Sequence, residues 1–164
     1  MSLKTNISAA ISIIETTAPD GGSATVRQSV EKVAELLNGT GNTQADLAFI
    51  DTRTLASNTT EDLDLAGVLA NALGATLTMA EVCAVLIVSD PANTTNLTIG
   101  NATAECLLWF GTATDTEILK PGGFSMHYAP AGWAVTATSA DDLKIANAAG
   151  ASASYSIAII GRSA

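Results

Sequence analysis

Hydrophobic and polar positions along this chain change period twice. Residues 5–15 mix small polar with β-branched side chains and read as an extended arm or edge strand, broken by Asp20-Gly21-Gly22-Ser23. From Val26 the apolar positions move to helical spacing: Val26, Val30, Val33 and Leu37 repeat at three and four residues, and Leu36 widens the stripe. Thr25 and Gln28 stand in capping-box relation ahead of it, and Asn38-Gly39 supplies a left-handed stop. The spacing therefore predicts one short α-helix of about three turns, packing by its apolar face. After the loop Gly39-Thr40-Gly41-Asn42, residues 45–52 resume strand character.

From Glu61 onward short strands alternate with turn signals at intervals suited to a sandwich or barrel. The candidate strands are 62–65, 76–79, 80–89, 95–99, 104–110, 116–120, 123–129, 133–137, 142–147 and 153–161. Asp90-Pro91, Gly111, Pro121-Gly122-Gly123, Pro130-Ala131-Gly132 and Gly150 mark turns, because glycine allows positive φ and proline fixes a negative one. Residues 66–73 read as one or two helical turns closed by Gly74. Residues 82–88 are apolar at every position, which implies burial on both faces. The fold class is mainly β: an antiparallel, jelly-roll-like β-sandwich with an N-terminal arm and one short α-helix. Residues 1–55 form the arm, helix and first strand, and residues 56–164 form the sandwich.

A chain of 164 residues buries roughly 68–70% of its unfolded surface on folding, so a true core is available. Charged residues are only 14% of the chain and aromatics 4%, against a usual charged share of about 25%. Much of the surface is consequently neutral, and a neighbour can approach it with few ions to desolvate, which favours a homo-oligomer. Net charge is −9, and residues 61–164 hold three basic groups, Lys120, Lys144 and Arg162, against ten acidic ones. Phosphate backbones and anionic membranes need basic groups that such a domain lacks, so neither nucleic acid nor a membrane is an expected partner. No long apolar stretch follows Met1, which points to synthesis in a cytosol. Without secretion, Asn58-Thr59-Thr60 and similar triplets are turn and strand composition, not glycosylation sites. In that setting Cys83 and Cys106 read as buried free thiols.

Candidate chemistry is sparse. His127 is the one histidine, and alternation sets it on a strand face with Ser125 and Ala129. A zinc site would need both cysteines and a carboxylate at spacings the chain lacks. No Gly-x-Ser-x-Gly turn presents a serine nucleophile either. Asp62 and Asp64 share one face of a strand beside Glu61 and are candidates for calcium, as is Asp141-Asp142 at a turn, though solvated loop charge is the simpler reading. Gly39-Thr40-Gly41 lacks the lysine and helix of a phosphate loop. Trp133 and Trp109-Phe110 read as packing aromatics, and Trp133, Tyr128 and Asp141 are the alternative sugar platform. No catalytic, cofactor-binding or metal residue is assigned, and no enzyme activity is expected.

A resemblance goes further than this chemistry. It is carried by Asp62-Leu63-Asp64-Leu65, the strand at 82–88, Leu119-Lys120-Pro121-Gly122-Gly123, Tyr128-Ala129-Pro130, Gly132-Trp133-Ala134-Val135-Thr136, Asp142-Leu143-Lys144-Ile145-Ala146-Asn147 and the strand at 155–161. In this order they resemble small β-sandwich accessory proteins of tailed-bacteriophage virions, over residues 61–164. The resemblance implies a non-enzymatic structural role as a capsid decoration or cement protein. Such a protein associates with itself, most often as a trimer, and binds the phage major capsid protein. It is made in the host bacterial cytoplasm and resides in the virion. A tail or head-fibre subunit and a carbohydrate-binding sandwich are the alternatives. The arm, hinged at Asp20-Gly21-Gly22, is expected to exchange between subunits.

Overall fold

In the computed structural model, residues 2–18, 20–104 and 111–164 are described. Among the described residues there are eleven strands and no helix. The segment expected to be helical is β2 (Ala24–Asn38), and it pairs antiparallel with β1 (Thr5–Thr17) over thirteen uninterrupted positions, from Thr5 opposite Leu36 to Thr17 opposite Ala24. Alternation along β2 sends Val26 and Val30 to one face and Val33 and Leu37 to the other, so the apparent helical stripe never assembles. Three of those four residues are β-branched, which lowers helix propensity and suits a pleated strand. The segment Asp20-Gly21-Gly22 is correspondingly the connection of a hairpin, with Gly21 at φ 92°, where an arm hinge was expected.

The next short strand, β3 (Gln44–Ala45), runs parallel to the end of β2. Two four-stranded antiparallel sheets follow. One has the order β4 (Leu47–Leu55), β11 (Ala153–Arg162), β6 (Glu81–Ser89), β9 (Phe124–Ala134). The other has the order β5 (Thr60–Asp64), β10 (Asp142–Asn147), β7 (Leu97–Gly100), β8 (Thr116–Leu119). Their inner faces close on one core, in which Phe49, Val85, Ile87 and Ile157 of the first sheet meet Leu97, Ile99, Leu143 and Ile145 of the second. The mainly β, antiparallel reading therefore holds, and β4 already lies within the first sheet.

Three local expectations are corrected. Residues 66–73 form turns with an isolated bridge from Ala70 to Thr76, in place of helical turns. Residues 76–79 contribute that bridge and no strand. Pro130-Ala131-Gly132 interrupts no strand, because it bulges within β9, where pairing with β6 jumps from Val82–Trp133 to Ala84–Tyr128. Gly132 holds φ 77° there, against the Arg162 guanidinium. The expected strand at 104–110, with Cys106, Trp109 and Phe110, falls outside the described residues after Ala104.

Buried polar side chains pin the layers. Tyr155 on β11 donates to Glu61 of β5 at 2.5 Å, and the other Glu61 oxygen accepts from Arg53 Nε at 2.7 Å. Asn147, buried on β10, donates to the carbonyls of Ala56 at 2.9 Å and Ala151 at 2.8 Å and accepts from Thr95 at 2.7 Å. Arg162 is 2% exposed, pairs with Glu81 at 2.7 Å, and donates to the carbonyl of Gly41 at 2.5 Å. It thereby ties the 39–42 loop to the sandwich.

Candidate functional site

Taken in turn, the polar candidates resolve into structural roles. Ser125 Oγ lies 2.9 Å from His127 Nε2 and donates to Glu117 Oε2 at 2.9 Å, while the same His127 nitrogen is 3.2 Å from that carboxylate. One ring nitrogen thus faces both partners. A Ser-His-acid relay requires the imidazole to lie between them and use both nitrogens. Glu117 was not visible as a partner in the sequence, because β8 and β9, although consecutive, belong to different sheets and do not pair.

The acidic candidates fold into turns. Asp64 Oδ1 accepts from the Ala66 amide at 2.8 Å, and Asp141 Oδ2 accepts from the Thr138 amide at 2.7 Å. Asp142 stands opposite Asp64 in the β10–β5 pairing, and burial, with Asp141, Asp62 and Asp64 nearby, raises its carboxyl above the ordinary range. Among the described residues no group of three or more His, Cys, Asp or Glu is arranged to hold a metal ion. The 39–42 loop is held by Gln44, whose Oε1 accepts from the Gly41 amide at 2.9 Å, leaving no open nest for a phosphate. Cys83 is buried, and that burial pushes its thiol up. The sugar candidates are not brought together: Trp133 packs against the inner core, Tyr128 lies on the outer face of the sheet, and Asp141 is buried in its turn.

What the fold does assemble is a pair of apolar surfaces. The pairing of β1 with β2 and the period-two alternation put Ile7, Ile11, Ile13, Val26, Val30 and Leu36 on one ribbon face, with Glu15, Gln28 and Lys32 among them. The opposite face carries Ser8, Ser12, Arg27, Ser29 and Glu31, with Ile14, Val33 and Leu37 among them. At the ribbon's root Ile7 and Leu36 are buried against Cys83, Ala84 and Ile160. Farther out the same face is uncovered, with Ile11 69% and Val30 78% exposed. The face is apolar for most of its length, crossed by Lys32 opposite Ala9 between the buried root and the exposed part.

The second surface is the outer face of the β4-β11-β6-β9 sheet. Its rows run Ala48–Ile160–Ala84–Tyr128, Ile50–Ala158–Leu86–Met126 and Thr52–Ser156–Val88–Phe124. None of the twelve side chains carries a charge. The ribbon root covers the first row, whereas Ile50 is 70% and Phe124 67% exposed. An open groove of about 540 Å³ runs between Ile7–Ile11 of β1, with Lys32 of β2, and Phe124, Met126 and Tyr128 of β9. The apolar character of 82–88 on both faces has its explanation here: one face meets the core, the other the ribbon root.

No protein-family model matches the chain, and no curated protein matches it. A solved structure of Bacillus endospore appendages, described as forming a novel family of disulfide-linked pili, is similar over 77% of this chain and 96% of its own, with 15% identity and a TM-score of 0.32. An overlay that loose carries no argument about fold or function.

Proposed function

We propose that this protein is a non-enzymatic structural subunit that associates with copies of itself through the N-terminal ribbon. One observation carries the reading: a largely apolar ribbon face, crossed by Lys32, that is buried at its root and exposes Ile11, Ile13, Val26 and Val30 along the rest of its length. An isolated two-stranded ribbon is marginal in water, and a third layer on its apolar face is what stabilises such an element. Continuous exposed apolar surface of this kind marks a contact site. The shortage of charge on the outer sheet face acts in the same direction, since few ions lose water when copies meet.

The finer description of the fold belongs with this proposal. The orders β4-β11-β6-β9 and β5-β10-β7-β8 support reading the sandwich as a jelly roll, an architecture used by viral shell proteins and by lectins alike. The particle setting, with a trimer bound to a phage capsid as decoration or cement, rests on the sequence resemblance, and the fold alone does not select it. The dispersed positions of Trp133, Tyr128 and Asp141 weigh against the carbohydrate alternative.

Sedimentation velocity over a concentration series tests the reading, comparing the full chain with an Ile11→Lys/Val30→Glu variant. Both positions are solvent-facing in the monomer and stand directly opposite each other, so the introduced charges attract and the strand pairing is kept. The expected result is an oligomer for the parent chain and a monomer for the variant. A parent chain that stays monomeric up to its solubility limit overturns the proposal. Co-sedimentation with phage shells or tails then decides the particle setting.

A further inference from the structure

Resting on that reading of self-association, we infer which surface receives the ribbon: the outer face of the β4-β11-β6-β9 sheet of a second copy, in a head-to-tail contact. The occupant is argued from three features of the chain. First, this face already accepts a ribbon, since the root of the same apolar stripe packs on Ala84 and Ile160 within each copy. Second, the charges permit it. Residues 1–38 carry three basic and four acidic side chains, whereas residues 39–164 carry four and twelve. Two sandwiches repel each other, but the apolar ribbon face holds one basic and one acidic side chain, Lys32 and Glu15, whose charges cancel, and it approaches a charge-free sheet face without that repulsion.

Third, the areas match. The free part of the ribbon, residues 9–17 with their partners, is roughly 30 Å long at ~3.4 Å per residue and about 10 Å wide, or on the order of 300 Å². The two open rows of the sheet face, four strands wide at ~4.8 Å spacing, offer on the order of 260 Å². A ribbon ~10 Å wide laid across four strands overlaps them for ~19 Å, so one contact buries on the order of 400 Å² in total, well under the ~1,600 Å² of a standard stable pair. Each copy, however, presents both surfaces. A head-to-tail contact is heterologous and closes into a ring or continues as a filament, and closure gives every copy two contacts in place of one. The expected population is thus monomer and closed oligomer, with little open dimer between them.

Mixed single-cysteine copies test the docking, in a Cys106→Ser background of the full chain that leaves only the buried Cys83. Copies with Val26→Cys on the ribbon are mixed with copies carrying Ile50→Cys on the sheet face and gently oxidised. The expected result is a disulfide-linked pair in the mixture and in neither variant alone. A second variant, Phe124→Glu, keeps the ribbon intact and is expected to weaken association at least roughly tenfold, the scale of losing one hot-spot side chain. If Val26→Cys copies crosslink to one another, or Phe124→Glu associates as the parent does, the ribbon pairs with another ribbon or elsewhere. The docking is then overturned while self-association stands. If neither crosslink nor oligomer forms, both fall.

Discussion

Replacing Tyr155 by Phe isolates one bond between the two sheets of the sandwich. The ring is 1% exposed and stays packed in the variant, so the loss is the hydroxyl and its donation to Glu61. A hydrogen bond to a charged group contributes about 1.5–3 kcal/mol, and Glu61 keeps its pairing with Arg53, which holds the cost near the lower end, about 1.5–2 kcal/mol. The pH dependence is sharper than the magnitude. Burial first, and then the Glu61 carboxylate, raise the Tyr155 hydroxyl well above its ordinary value. A group raised in the folded state contributes stability that is complete below the unfolded pKa and is lost as pH climbs past it. For a tyrosine the loss begins near pH ~10 and proceeds at up to about 1.4 kcal/mol per pH unit. The Phe variant has no such slope, and Cys83, also raised, contributes equally to both proteins. Urea unfolding between roughly pH 8 and 11.5 should show a gap of about 1.5–2 kcal/mol that closes within one to two units above pH ~10. A gap that stays constant across that range, or none at pH 8, refutes the reasoning.

Two further substitutions probe the backbone and the acidic edge. Gly132→Ala places a Cβ 2.7 Å from Arg162 Nη2 and 3.0 Å from Glu81 Cβ at φ 77°, and a loss of about 1–3 kcal/mol is expected in denaturant unfolding. A change below about 0.5 kcal/mol would mean that the bulge relaxes freely. Asp64→Asn keeps an acceptor for the Ala66 amide and removes the like charge opposite Asp142. Because the Asp142 carboxyl is raised, its ionised form costs stability at neutral pH and the cost disappears as pH falls through its range. Thermal melts should show the variant more stable by about 0.2–1 kcal/mol at pH 7 and no different near pH ~3.5.

The sandwich was legible where residues act locally. Strand β10 falls on the residues anticipated, and Pro121-Gly122-Gly123 and Gly150 turn the chain as glycine and proline dictate. The ribbon was misread because its decisive partner lies elsewhere. Val26, Val30, Val33 and Leu37 satisfy a helical window by coincidence, and only their pairing with Thr5–Thr17 sorts them onto opposite faces. One signal pointed the other way: Asp20-Gly21 sits between two β-branched segments of nearly equal length, the form of a hairpin. Arg162 was equally opaque, since its burial depends on the loop at Gly41 and the bulge at Pro130, both distant in sequence. Of the candidate surface, the shortage of charge was readable from composition. Its concentration on one sheet face required the register of four strands.

The place of β11 within its sheet sets a timetable for the nascent chain. It lies between β4 and β6, and its pairing of Ser156 with Thr52 spans 104 residues, whereas the ribbon is a local hairpin. Local contacts form early and distant ones late, so the ribbon strands can meet while the sandwich is still being translated, and their root gains its packing surface only when Ile160 arrives. Ser156 and Ala158 are part of the proposed receiving face, which therefore does not exist until the eighth sandwich strand has emerged and inserted. With the docking proposed above, neighbouring chains on one message cannot capture each other's ribbons prematurely, and joining waits for each copy to finish folding.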